Sequence, residues 1–441
     1  MSTSLDSAKP TAWPAAARLL ARWLDQRERI DALLETLPGN LHGTERARCQ
    51  HLVLGVVRHY GRIDAALARL IAHPPRFSTR AVLFVAGFEL MEAAGSPESE
   101  GRVAKIVHHA VEQTKALASP AEARLVNAVV RKLAPAMVAA APTAVKSSDT
   151  NKSVDAAAWA EYFSHPEWMV RRWLAQIGPA HTRALLEWNQ QPAKVYARWR
   201  ATGEPVPEFL KPSAWAGFYE VESGRWSAVE PLLKSGKIYL QDPGTRLAVE
   251  LLAPQAGETV LDVCAAPGGK SLLIADTIKS GKIVALDLPG ARIDRLKENL
   301  SRAGAVEVAL VQADVLAEPT MALREHALPE SYSAVLIDVP CSNTGVMRHR
   351  LDVKWRLQEG DFKKHPKQQL ALLHAAARLV APGGRLVYST CSLDAEENEQ
   401  VITAFFNSRA GGPFKREASV TSLPWETGHD GAAAFLLRRQ A

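Results

Sequence analysis

Two cysteines stand where apolar runs end. Cys341 lies in Val335–Leu–Ile–Asp–Val–Pro–Cys–Ser–Asn–Thr–Gly345, and Cys391 lies in Leu386–Val–Tyr–Ser–Thr–Cys–Ser392. Each aliphatic run reads as a strand, so each thiol falls just past a strand end. A lone cysteine is more often a small buried hydrophobe than a reactive group. Two of them leaving strands at one edge point instead to nucleophilic catalysis, which needs a partly exposed thiol of low pKa. Asp338 closes the first run and adds a carboxylate to the same edge.

A second motif is suited to holding a ligand. In Leu261–Asp–Val–Cys–Ala–Ala–Pro–Gly–Gly–Lys–Ser271 a strand runs into a turn of small residues and then a helix. Gly268 and Gly269 would let the backbone come close to a ligand, which a Cβ would block. A phosphate loop of the form GxxxxGK[ST] would need its first Gly at Cys264, and GxGxxG is absent. Asp287 ends the next run, Ile283–Val–Ala–Leu–Asp, and is placed for a ribose hydroxyl pair. Asp314 ends Leu310–Val–Gln–Ala–Asp and could reach an adenine amino group, although both aspartates are also ordinary turn formers. Clustered carboxylates repel phosphate, so a nucleoside without phosphate fits better than a nucleotide.

The elements that must position these groups alternate from Leu240 onward. Strands are expected at Thr259–Val263, Ile283–Leu286, Val306–Val311, Ala334–Ile337 and Arg385–Tyr388. Helices are expected at Lys270–Ile278, Ala291–Ala303 and Gln368–Val380. Such alternation makes a mostly parallel, doubly wound Rossmann-like sheet, whose ligands sit at the carboxyl ends of the strands. From Pro14 to Leu133 the periodicity is helical instead. Leu19 to Leu34 reads as one apolar face, followed by Leu52–Arg58, Val82–Met91, Val103–Val111 and a helix capped by Ser119–Pro120. Lys146–Ser153 is polar and aperiodic, as in a linker. Between linker and sheet lie two helical pieces, Glu167–Ile177 and Ala180–Trp188, and a strand at Val195–Trp199. The expected organisation is an all-α bundle over 10–137, a linker over 138–158, a small α/β domain over 159–237 and the α/β domain over 238–441.

Composition excludes other classes. The 441 residues, 47% hydrophobic and 23% charged, suit a soluble multidomain protein. The longest apolar run, Ala81–Phe88, is too short to span a membrane. The N-terminus, with Ser4, Asp6, Lys9 and Pro10, lacks a signal pattern, so a cytoplasmic protein is expected. Cys49, Cys264, Cys341 and Cys391 form no CxxC pair, which argues against zinc and against a disulfide framework. The net charge of +6 is compatible with a polyanionic partner.

The thiols and the nucleoside loop fit one reaction. Cytosine C5 is too weak a nucleophile to attack a methyl donor. A thiolate adding to C6 enriches C5, which can then accept a methyl group from a sulfonium before the C5 proton and the thiol leave. Asp338 is placed to bond the N3/N4 edge of the base.

Taken together, the segments CAAPGGK, DVPCSNTG and TCS resemble the RNA cytosine-C5 methyltransferase family in order and spacing. That resemblance implies Cys391 as nucleophile, Cys341 as the group assisting product release, and S-adenosylmethionine as cofactor. It implies cofactor contacts from Cys264, Ala265, Ala266, Pro267, Gly268, Gly269, Lys270, Asp287, Asp314 and Asp338. The helical region resembles the NusB-like RNA-binding domain at Leu52–Val–Leu–Gly–Val–Val–Arg–His, Arg62–Ile–Asp–Ala and Leu125–Val–Asn–Ala–Val–Val–Arg131. His165–Pro–Glu–Trp, Asn189–Gln–Gln–Pro192 and Leu240–Gln–Asp–Pro also look familial. A NusB-like domain joined to a methyltransferase is the RsmB/Sun arrangement. It implies small-subunit (16S) ribosomal RNA as partner, free or in an early assembly particle, with a monomeric enzyme that needs neither metal nor membrane. Alternatives are a tRNA cytosine methyltransferase, a NusB-like RNA-binding or ribosome-assembly factor with an inactive second half, and a DNA methyltransferase. Two segments depart from the family pattern where it expects RNA contacts: Val346–Trp355, which lacks a His–Pro before Asp352, and Val195–Trp199.

Overall fold

The computed structural model describes residues 11–94, 99–137 and 154–441. The four N-terminal residues named above and the Lys146–Ser153 stretch lie outside these. The described chain forms two compact units, one running to Gln191 and including Arg350–Leu357, the other comprising Pro192–His349 and Gln358–Ala441.

The first unit is helical: α1 (Ala12–Gln26), α2 (Ile30–Glu35), α3 (Gly43–Leu70), α4 (Phe77–Ala93), α5 (Ser99–Leu117), α6 (Pro120–Ala136), α7 (Ala156–Tyr162) and α8 (Glu167–Gln190). The face read as continuous from Leu19 to Leu34 belongs to two helices. Arg27 takes a left-handed conformation (φ 52°) and ends α1 with a bond from its N–H to Trp23 O at 2.9 Å. Helix α4 has no polar face along Ala81–Phe88 because all eight residues are buried. Ser119 caps α6 as expected, accepting from Glu122 N at 3.3 Å. The two pieces expected over 167–188 are both present within α8: they meet at Gly178, whose φ of 74° and ψ of 170° are not helical. His165 and Asn189, both singled out by resemblance, meet: Asn189 Nδ2 is 3.2 Å from His165 Nε2.

Arg350–Leu357 completes this unit's core. Leu351 is buried among the helices, and the indole N–H of Trp355 donates to Val57 O at 2.8 Å. Lys354 Nζ donates to Arg58 O at 3.0 Å, and Asp352 Oδ2 accepts from Ile30 N at 3.3 Å. In Val346–Trp355 the residues Met347, Arg348, Leu351, Asp352, Val353 and Lys354 are all buried. Much of that segment thus faces protein rather than the RNA expected there.

The second unit holds two sheets. Its strands are β1 (Tyr196–Trp199), β2 (Leu210–Pro212), β3 (Phe218–Val221), β4 (Ile238–Leu240), β5 (Thr259–Val263), β6 (Lys282–Asp287), β7 (Glu307–Gln312), β8 (Tyr332–Asp338), β9 (Val380–Thr390), β10 (Phe414–Ser422) and β11 (Ala432–Arg439). Helices α9 (Trp226–Lys234), α10 (Arg246–Leu252), α11 (Gly269–Ile278), α12 (Ile293–Leu300), α13 (Pro319–Glu325), α15 (Asp361–Arg378), α16 (Glu399–Phe406) and α17 (Pro424–Thr427) join them; α14 (Val353–Arg356) lies in the first unit. The small antiparallel sheet has the order β2-β3-β1-β4. In β1, Ala197 and Trp199 face its own core, while Arg198 is buried and donates to Gln241 and Asp276. The expected strand is therefore present, with its arginine committed inside the unit.

The large sheet has the order β10-β11-β9-β8-β5-β6-β7. β9, β8, β5, β6 and β7 are parallel, and β11 and β10 add an antiparallel edge. All five expected strands are present. Register places Val263 beside Leu286 and Ile337, and Asp338 beside Ser389. Cys264, Asp287, Asp338 and Thr390–Cys391 thus emerge at one edge. After β7 the chain crosses to the other side of β5, so β5 and β8 flank the switch point where such sheets open a ligand crevice.

Candidate active site

At the carboxyl end of β8 and β9 the two thiols are in contact. Cys341 Sγ is 3.3 Å from Cys391 Sγ, and both residues are partly exposed. Asn343, in a left-handed conformation (φ 61°), folds back to donate to Cys341 O at 2.8 Å and lies 3.4 Å from Cys391 Sγ through Oδ1. Gly345 N donates to Cys391 O at 2.9 Å, and a Cβ at Gly345 would meet that oxygen at 2.7 Å, so only glycine fits between the loops. The Cys391 thiol, burial and Glu397 together push the Cys341 pKa well up. Two thiolates repel strongly at this distance, so at most one of the pair carries a charge at a time.

Asp338 is clamped beside them. Lys270 Nζ donates to Oδ2 at 2.6 Å and Ser389 Oγ donates to Oδ1 at 2.7 Å. Burial would lower the Lys270 pKa, but Asp338 outweighs it and holds the ammonium charged. Lys270, expected only at the cofactor, thus also belongs beside the thiols. Its neighbour on the strand ends was not apparent from local spacing.

The loop between β5 and α11 is built by its own side chains. Cys264 has φ 60° and Gly268 φ 101°, and Ala265 O accepts from Gly268 N at 2.7 Å. A Cβ on Gly268 would meet Leu296 at 3.0 Å, and one on Gly269 would meet Tyr239 at 3.1 Å. Backbone conformation at Gly268 and packing against protein at both positions therefore also call for glycine. Asp287 is buried; its Oδ2 accepts from Ala266 N at 2.8 Å and its Oδ1 is 3.3 Å from Arg292 Nη2. Asp314 is exposed and accepts from Leu316 N at 2.9 Å, the turn-forming role. Asp262 hydrogen-bonds Ser271 Oγ at 2.5 Å and is pushed up to about 7, chiefly by burial. Burial, then Asp287, Asp338 and Asp262, push the Cys264 thiol up to about 12. Cys264 therefore stays a neutral thiol. Cys49, buried in α3 as expected, is likewise pushed up to about 11, mainly by burial.

This geometry has known counterparts. Residues 249–423 match the family described as 16S rRNA methyltransferase RsmB/F, and residues 11–135 match the NusB family. The chain thus carries a NusB domain and an RsmB/F methyltransferase domain, in the RsmB/Sun order. It is 28% identical over 404 residues to the Ribosomal RNA small subunit methyltransferase B of Yersinia pseudotuberculosis, covering 88% of each chain, and equally so to that of Yersinia pestis. Among solved structures it is similar to PH0851 (TM-score 0.75, 22% identity, 98% of this chain and 99% of that one). It is also similar to NSun6 from Pyrococcus horikoshii with SFG (TM-score 0.53, 18% identity, 63% and 98%). These two show the fold.

S-adenosylmethionine is the methyl donor of this RsmB/Sun-type chain, and the residues present suit it. Asp262, Asp287 and Asp338 all act on the Cys264 loop, giving an acidic crevice that favours a sulfonium with an uncharged ribose and disfavours phosphate. Among the described residues one further trio, Asp242, His349 and Asp430, brings potential ligand atoms within 4.8 Å of one another. His349 Nδ1 lies 2.9 Å from Asp430 Oδ2 and its Nε2 is 3.1 Å from Lys194 O, while Asp242 Oδ1 accepts from Gly244 N and Asp430 N. No helix of the described residues is long and apolar enough to cross a membrane.

Proposed function

We propose that this chain methylates C5 of a cytosine in 16S ribosomal RNA through a covalent cysteine–cytosine adduct. The observation that carries the reading is the contact of Cys341 and Cys391 at 3.3 Å beside the clamped Asp338. One thiol alone would suit many reactions, whereas addition and elimination at the same ring give work to two.

Cys391, as thiolate, forms a C–S bond to C6 and moves an electron pair onto C5. Asp338 bonds the N3/N4 edge of the base and steadies the charge that develops in the ring, with Lys270 and Ser389 fixing its two oxygens. S-adenosylmethionine, when bound, supplies an electrophilic methyl group on a sulfonium. The adduct then breaks down: the C5 proton leaves to a base, the C5–C6 double bond re-forms and the Cys391 thiolate is expelled. Cys341, held in contact with the departing sulfur, assists that elimination. Residues Cys264 to Lys270, Asp287 and Asp314 form the cofactor side. The relatives' names support ribosomal RNA over tRNA as the partner, and the protein acts as a monomer in the cytoplasm.

The test is bisulfite sequencing of total RNA from a strain lacking the gene. One 16S cytosine is expected to lose its methyl group and regain it from the purified protein. An altered tRNA cytosine would move the substrate, and no altered cytosine would overturn the reading.

A further inference from the structure

Beneath the two thiols lies a buried polar node that the chemistry above does not use. It follows the second cysteine, where the turn Ala395–Glu397 leads into α16. The Glu397 side chain is 0% exposed. Its Oε1 accepts from Ser342 N at 2.9 Å and from Gln369 Nε2 at 3.0 Å, and its Oε2 accepts from Ser342 Oγ. Gln369 also donates to Pro340 O at 3.0 Å, so Glu397 and Gln369 grip the residues on both sides of Cys341. His365 Nδ1 lies 3.2 Å from Glu397 Oε1, an ion pair when the imidazole is protonated, without forming a hydrogen bond.

The next residue grips the other loop. Asn398 Oδ1 accepts from Thr390 Oγ1 at 2.7 Å, and its Nδ2 donates to Ser392 O at 2.9 Å. These are the residues flanking Cys391. Ser342 and Ser392 face each other at 3.2 Å between their hydroxyl oxygens, closing the network. A buried carboxylate with no direct role is costly unless its bonds define a structure. Here two adjacent residues, together with Gln369, hold the four neighbours of two thiols.

We infer that Glu397 and Asn398 are positioning residues that jointly set the separation of Cys341 and Cys391, with His365 and Gln369 orienting Glu397. The inference rests on the proposed two-thiol mechanism for its catalytic consequence, but not for its geometric one. Burial pushes the Glu397 pKa up, yet the neighbouring His365, Ser342 and Ser392 outweigh it and hold the carboxyl below its ordinary value, as suits an acceptor for several donors.

Two measurements on Glu397→Gln and Asn398→Ala test it. The first is turnover: kcat should fall about a hundred-fold, the loss typical of reacting groups misplaced by an ångström, with KM for RNA and donor affinity unchanged. The second needs neither RNA nor cofactor. Diamide oxidises the two thiols to a Cys341–Cys391 disulfide, taking up their two electrons and two protons to become the hydrazine, and mass spectrometry follows the linked peptides. That rate should fall about ten-fold in both variants. Circular dichroism confirms that each is folded; if the Gln substitution unfolds the unit, Asn398→Ala decides alone. Wild-type linking rates in a folded variant overturn the inference, whatever happens to turnover. Should the wild-type protein methylate no cytosine, the proposed function fails while the linking rates still decide the positioning.

Discussion

The ammonium of Lys270 stands 2.6 Å from Oδ2 of Asp338, joining the start of α11 to the end of β8 across the switch point. The pair links the loop after β5 to the strand edge that carries the thiols, which under the proposed function are the cofactor side and the base side. Lys270→Met is expected to lower kcat about a hundred-fold by freeing Asp338 to rotate and depriving the ring of a nearby cation. Asp338→Asn should cost a similar factor while leaving RNA affinity intact. Steady-state kinetics with separate binding titrations check both, and an effect confined to KM would remove the pair from the chemical step.

The two thiols are expected to fail differently. Cys391→Ala should abolish turnover and form no adduct with RNA. Cys341→Ala should still attack and methylate but release slowly, so that a protein–RNA species survives denaturing electrophoresis. The opposite pattern would exchange the two roles.

Asp287→Ala should weaken donor binding while the fold survives. Charge-assisted bonds of the kind expected to ribose hydroxyls contribute about 1.5–3 kcal/mol each. The substitution also removes the anchor of Ala266 N, so the loop itself loosens. Calorimetric titration with the methyl donor measures the loss, and unchanged affinity would leave Asp287 as a loop anchor only.

His165 makes the helical unit acid-sensitive. Its Nδ1 donates to Phe163 O at 2.6 Å and its Nε2 accepts from Asn189, which defines the neutral tautomer. Burial, then Lys354, push its pKa well below the ordinary value. His59 is pushed down to about 3 by burial, Lys354, Arg58 and Arg62. Because the unfolded chain takes up the proton first, stability is intact above about pH 6.5 and falls as pH drops below it, by up to about 1.4 kcal/mol per pH unit for each fully buried imidazole. Urea unfolding at pH 7.5 and 5.5 should show the decline, and His165→Gln should flatten it.

Much of this site could be read from local spacing, because a parallel strand of four or five aliphatic residues announces itself and its exit residue inherits the active edge. That is why Asp287, Asp338, Cys341 and Cys391 were identifiable. Contacts between distant segments left no such trace. Glu397 and Asn398 sit in an acidic, polar run that looks like solvent-facing helix, yet Glu397 is fully buried, with partners from the loop after β8 and from α15. The antiparallel β10–β11 edge was missed since its outer strand alternates buried and exposed residues weakly. The packing of Gly268 and Gly269 against Leu296 and Tyr239 likewise left no trace in the local sequence.

Leu351 and Trp355 have a bearing on how the protein is made. The bundle they complete is otherwise finished by Gln191, yet these side chains belong to a stretch translated far later. At ordinary elongation speeds the nascent helices wait on the order of ten seconds or more with that part of their core open. A premature stop anywhere between the bundle and Leu357 would therefore release an unfinished domain with an apolar gap, a natural mark for proteolysis. For the same reason the gene has no single cut point that yields two intact halves, and recombination between relatives would have to exchange the short downstream segment together with the bundle it fills.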